Sequence, residues 1–227
     1  VVDTLDSMGL NANILIADTT LTDADLAGID LQSTVEELTA EAVLLTPAED
    51  RACVVRADGC TIIVDGSDAL AEAIDDEAIT LPGRIVSAAV VSSVGFSDFL
   101  IVDDGHVVRH LCEDDGEIRI DEGQAVPGES DFVFPAEPDE DESADASADG
   151  AVDRDGTDAG AVEIDGDLLI QLLPAVAGMD ADTDLFALAG TAYTRASAGL
   201  VGSDGEPAPA EGAEPARKGL FSRLFRR

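Results

Sequence analysis

Residues 84–121 read RIVSAAVVSSVGFSDFLIVDDGHVVRHLCEDDGEIRID, and the reading of this stretch decides the fold. Four runs rich in aliphatic and β-branched residues, RIVSAAVVSSV, FSDFLIV, HVVRHLCE and EIRID, are separated by Gly95 and by two copies of Asp-Asp-Gly. Asp-Gly provides two residues that tolerate positive φ, which the two-residue hairpin turn requires. Strands joined by such short connections must pair antiparallel. The stretch therefore predicts a four-stranded meander.

It also holds both histidines of the chain together with Cys112, so it is the natural place to look for a metal or catalytic site. With Asp104-Gly105 and Asp115-Gly116 as two-residue loops, the register sets His110 opposite Phe99 and Asp121, and Arg109 opposite Glu122. One face then gathers Leu100, Val102, Val107, Leu111, Ile118 and Ile120 as core. The other carries His106, Val108, His110 and Cys112, with Phe99, Ile101, Arg119 and Asp121 across from them.

His106 and His110 share a face but stand about 13 Å apart at roughly 3.3 Å per residue. Zinc ligands sit about 2 Å from the ion, so these two imidazoles do not serve one metal. His110 and Cys112 are closer, yet no third ligand follows at suitable spacing. The expectation is no metal site, no catalytic residue and no cofactor, with His110, Arg119 and Asp121 as a polar cluster in cross-strand contact.

Outside the meander, NANILIA at 11–17 predicts a first strand, and Thr22 followed by acidic residues predicts a helix start. Ser33-Thr34-Val35-Glu36 has the form of a capping box and predicts a helix over about 34–42. AVLL, ACVVR and CTIIV predict short strands, the last two joined by Asp58-Gly59. That turn sets Cys53 opposite Val64 and Ala57 opposite Cys60, so the two thiols do not face each other. Unpaired cysteines fit a reducing compartment. Ser67 caps a predicted helix carrying Leu70, Ala71 and Ile74. Leu185, Leu188, Ala189, Ala192 and Tyr193 recur at helical spacing and predict an amphipathic helix.

The chain has 227 residues, 45% of them hydrophobic, with 49 acidic against 12 basic side chains and a net charge of -37. Such a surface argues against direct nucleic-acid binding by the main domain, which needs Lys and Arg facing the phosphates. Arginine outnumbers lysine eleven to one, a bias shared by GC-rich genomes and salt-adapted hosts. Residues 135–163 are Pro, Asp, Glu, Ser, Ala and Gly with hardly an apolar anchor, and are expected to form a disordered acidic loop. Asp- and Gly-rich DADGAVDRDGTDAG lacks the ordered ligand positions of an EF-hand. No phosphate loop, GxSxG, HExxH or CxxC motif occurs.

Met8-Gly9-Leu10 precedes the first strand, so residues 1–7 are set aside as an over-called start. No apolar run reaches the roughly 18 residues of a membrane span, and the first residues lack the order of a secretory signal. Localisation is expected to be cytoplasmic, peripheral to a membrane if the last segment docks there.

That segment, ARKGLFSRLFRR, opposes the charge of everything before it. On a helix Leu220, Phe221, Leu224 and Phe225 share one side, and Arg223, Arg226 and Arg227 the other. With Arg217 and Lys218 they form a docking segment for an anionic membrane or a partner protein.

MGLNANILIAD at 8–18, DDGHVVRHL at 103–111 and DEGQAVPGE at 121–129 resemble uncharacterised actinobacterial domain-of-unknown-function proteins. These have an initial Met-Gly strand and an Asp-Gly-x-x-Val-Arg hairpin. The resemblance covers residues 8–130 and departs where related chains carry Trp, of which this chain has none. It implies a soluble α+β domain and lends no activity.

The expected fold is α+β, an antiparallel sheet of about six or seven strands with helices packed on one face. Residues 8–134 and 164–200 form one domain, 201–216 a linker and 217–227 a basic tail. The expected function is a non-enzymatic binding or regulatory protein. Two competing expectations are a hydrolase or transferase working through scattered carboxylates and His110, and an acidic mimic of nucleic acid.

Overall fold

NANILIA forms β1 (Asn11–Ala17), buried at every position after Asn11. A strand whose side chains are all buried must be covered on both faces, and β1 lies at the centre of a nine-stranded sheet. The structure, a computed structural model, describes residues 10–46, 51–66, 70, 81–135 and 162–195. Along the chain β1 is followed by α1 (Asp23–Gly28), β2 (Leu31–Thr39), α2 (Ala40–Leu45), β3 (Arg51–Ala57) and β4 (Cys60–Asp65). The meander supplies β5 (Arg84–Val91), β6 (Phe96–Asp103), β7 (His106–Asp114) and β8 (Glu117–Gly123). Then come β9 (Val133–Pro135), β10 (Val162–Ile164), α3 (Gly166–Val176) and β11 (Ala189–Arg195).

The sheet order is β2-β11-β3-β4-β1-β5-β6-β7-β8, and every neighbouring pair is antiparallel. β9 and β10 form a separate two-stranded ribbon. The α+β class and the antiparallel sheet stand, with more strands than expected. Asp58, Asp104 and Asp115 all have positive φ (52°, 46° and 54°), as do the glycines that follow them. Those are the angles the three predicted Asp-Gly hairpins require. Cys53 faces Val64 and Ala57 faces Cys60, and Cys53, Cys60 and Cys112 are free thiols.

Three local expectations fail, two of them because sheet pairing outweighs helical periodicity. Residues 31–39 are strand where a helix over 34–42 was expected, because they pair with β11 from Leu31↔Arg195 to Thr39↔Ala189. The helix begins only at Ala40, with Thr39 Oγ1 accepting from the Ala42 amide as its cap. AVLL at 42–45, expected as strand, falls in that helix. Leu185 opens a 3-10 turn, while Ala189, Ala192 and Tyr193 belong to β11, a strand inserted between β2 and β3. A Cβ on Gly190 would meet the Val54 carbonyl oxygen at 2.3 Å, so glycine is what lets β11 pass there.

The helices do not share one face. Ala40 and Val43 of α2 and Leu169, Ile170 and Leu173 of α3 pack with Ile14, Ile16 and Val64. Leu26 of α1 packs with Tyr193 of β11 and with Leu15, Ala17 and Ile63, the side chains that alternate to the other face of β1 and β4. Both faces are therefore core. The Ser67-capped helix, residues 1–7, the linker and the tail lie outside the described residues, although Leu70 is buried and its amide donates to Asp65 Oδ2 at 2.8 Å. Of the predicted acidic loop, residues 135, 162 and 163 are strand, and 136–161 lie outside the described residues.

Candidate functional site

The predicted polar cluster depends on register, and β7 breaks register twice. Val102↔Val107 and Asp103↔His106 follow the turn as expected, but beyond a bulge Ile101 pairs with Arg109 and Leu100 with His110. A second bulge follows Glu113↔Ile118, so that Cys112 pairs with Ile120, Leu111 with Asp121 and His110 with Glu122. Each extra residue exchanges the two faces beyond it. The expected pairs His110–Phe99, His110–Asp121 and Arg109–Glu122 are all displaced by one position. The expected core face is divided likewise. Leu111 packs with Phe99 and Ile101, Leu100 and Val102 with Leu15, and Cys112 with Ala89, Phe96 and Ile120.

The shift separates the three candidate residues. His110 Nε2 lies 2.8 Å from Asp98 Oδ1, whose side chain is nearly buried. Asp121 turns instead to Arg109, accepting from Nη1 at 2.5 Å. Arg119, exposed on β8, pairs with Glu117 and lies 3.6 Å from Asp114. The three residues thus turn to three different partners, His110 to Asp98, Asp121 to Arg109 and Arg119 to Glu117.

The strongest polar assembly is one the sequence reading passed over. Arg109 is 4% exposed and Glu129 5%, and they meet through Nε to Oε2 at 2.9 Å and Nη2 to Oε1 at 2.6 Å. Arg109 Nη1 also donates to the Glu122 carbonyl at 3.0 Å, and Glu129 Oε2 accepts from the Val126 amide at 3.1 Å. The two carboxylates beside it hold the Arg109 guanidinium above its ordinary pKa, Glu129 most strongly. Both members of the pair were in the quoted motifs, Arg109 in DDGHVVRHL and Glu129 in DEGQAVPGE. What was missing was the bulge that turns Arg109 toward residues 126–129.

Cys112 sits beside Asp98 and His110 but does not have the character of a nucleophile. Burial first, and then the negative charge of Asp98, push its thiol far up, whereas a reactive cysteine needs its thiolate favoured. Cys53 is pushed up to about 11 by burial. Among the described residues no three His, Cys, Asp or Glu side chains are grouped to hold a metal ion. Among them, too, no helix is long and apolar enough to cross a membrane.

Glu113 is buried on β7, and its carboxylate accepts from the Ile164 amide of β10. Burial raises its pKa, and the Ile164 amide opposes the rise. A carboxyl raised on folding adds stability that is fully present below its unfolded value and is lost as pH climbs through the folded one. Glu113→Gln is therefore expected to flatten the fall in unfolding free energy just above the ordinary glutamate range, read from urea midpoints at stepped pH. An unchanged slope in the variant would refute the assignment.

The chain matches no known protein family, no curated protein and no solved structure.

Proposed function

We propose that this chain is a non-enzymatic binding protein, an acidic sheet platform for a basic partner with its own basic docking segment at residues 217–227. The observation that carries this reading is how the carboxylates of the meander are divided. Those facing inward are held by the protein itself: Asp98 by His110, Glu113 by the Ile164 amide, Glu129 by Arg109. Those on the two turns and the outermost strand, Asp103, Asp104, Asp115, Glu117, Asp121 and Glu122, are exposed. A surface of one sign steers and retains a partner of the other.

The docking segment combines basic residues, each worth about 1 kcal/mol near an anionic surface, with Phe and Leu side chains suited to shallow insertion. Full-length protein immobilised in native lysate is expected to retain a basic protein at low salt and release it at high salt, since exposed charges are screened beyond about 8 Å at physiological ionic strength. Release of that partner by added nucleic acid would identify the captured groove as a nucleic-acid site. In parallel, co-sedimentation with anionic vesicles is expected to fall when Phe221 and Phe225 are changed to Ala. Absence of both salt-sensitive capture and sedimentation would overturn the reading.

A further inference from the structure

We propose that the exposed tip of the β6–β7 hairpin, around Val107 and Val108, is the seat of the chain's own residues 217–227. The proposal rests on the reading of that segment as a docking element and specifies where it docks. β8 pairing ends at Arg109↔Gly123, with the Gly123 backbone lying against the Val108 carbonyl, so among the described residues His106 and Val107 have β6 on one side and no paired strand on the other. Val107 is 44% exposed and Val108 41%, the one adjacent pair among the exposed large hydrophobic side chains of the described residues. Val108 is the extra residue of the bulge between Val107 and Arg109, so the two apolar side chains stand together where the ladder is interrupted.

Around it stand exposed carboxylates. Asp103 pairs with His106 across the hairpin, Asp104 forms the turn, and Asp121 and Glu122 close the end of β8. An apolar pair ringed by acids suits a segment in which apolar and basic side chains are interleaved, as they are in GLFSRLFRR. A second copy of this face would bring like charges together and is disfavoured. At the opposite edge, β2 shows Val35 at 93% exposure, but a bulge between its two stretches of pairing to β11 interrupts that edge and Arg51 already engages Glu36. The described chain ends at residue 195, and the connection to 217, at roughly 3.3–3.6 Å per residue, is ample to reach the hairpin.

Lys218 is the chain's single lysine, which makes the test specific. Zero-length carbodiimide cross-linking of dilute full-length protein, mapped by peptide mass, is expected to join Lys218 to Asp103, Asp104, Asp121 or Glu122. A mixture of isotope-labelled and unlabelled chains should show the link within one molecule. Yield should fall several-fold in high salt and when Val107 and Val108 are both changed to Ser, an exposed pair whose replacement leaves the core intact. Links to Glu36, Glu37 or Asp23, links only between molecules, or no link at all would overturn the proposal. Salt-sensitive capture or vesicle sedimentation persisting in that event would leave the docking function standing without this seat. Loss of both would remove both.

Discussion

Arg109→Leu is expected to lower the unfolding free energy by about 3–5 kcal/mol, the cost of leaving a buried charge without its partner. The reason lies in what remains. Glu129, 5% exposed, would keep its Val126 amide bond but lose every contact with the guanidinium. Asp121 is exposed and can turn to water, so its share of the loss is small. The double variant Arg109→Leu, Glu129→Leu separates the charge from the shape, because replacing a buried pair by apolar residues of similar volume is often neutral or stabilising. Urea unfolding of the three proteins should place the double variant well above Arg109→Leu. If instead the double variant is the less stable by the sum of two losses, the pair contributes through its hydrogen bonds to Val126 and Glu122 rather than through charge neutralisation.

That pair also shows how far the sequence could be read. Turn chemistry was legible, since Asp-Gly between two strand-like runs suits a tight hairpin, and all three predicted hairpins formed there, whereas Asp165-Gly166 before a helical run opens α3. Strand identity in the meander followed from it. The bulges did not, because nothing in HVVRHLCE or EIRID marks the extra residues, Val108 and Arg119, and a slip of one position decided which side chains met. His110 thereby found Asp98 and Arg109 found Glu129, neither of which a register drawn from the turns alone would select. At the other end of the sheet the error had a different origin. Ser33 and Glu36 have capping-box spacing, yet Ser33 Oγ accepts from Val35, two residues on, and Glu36 engages Arg51. Val35 adopts φ 60°, a costly conformation for a β-branched residue that the surrounding strand pairing must enforce. The partner that enforces it, β11, is remote in sequence, and its own pattern matched a helix.

Phe132→Ala is expected to cost about 3–5 kcal/mol, the usual range for emptying a buried aromatic site. The ring is fully buried and meets Phe99 of β6 edge to face, with centroids 5.2 Å apart and planes at 72°. Its backbone has a second task. The Phe132 carbonyl accepts from the Asp165 amide at 2.9 Å, and Asp165 Oδ1 in turn accepts from Leu168 as the cap of α3. Next to it Val133 pairs with Ile164, so the chain is fastened to the core on both sides of residues 136–161 at this one place. Phe132→Leu refills most of the space and forfeits chiefly the aromatic pairing, about 0.5–1.5 kcal/mol. Urea midpoints give the global cost, and amide exchange at Leu168–Leu173 reports whether α3 is released first. A loss within about 1 kcal/mol for Phe132→Ala, with α3 protection unchanged, would mean that the ribbon of β9 and β10 rests on the core without being held by this ring.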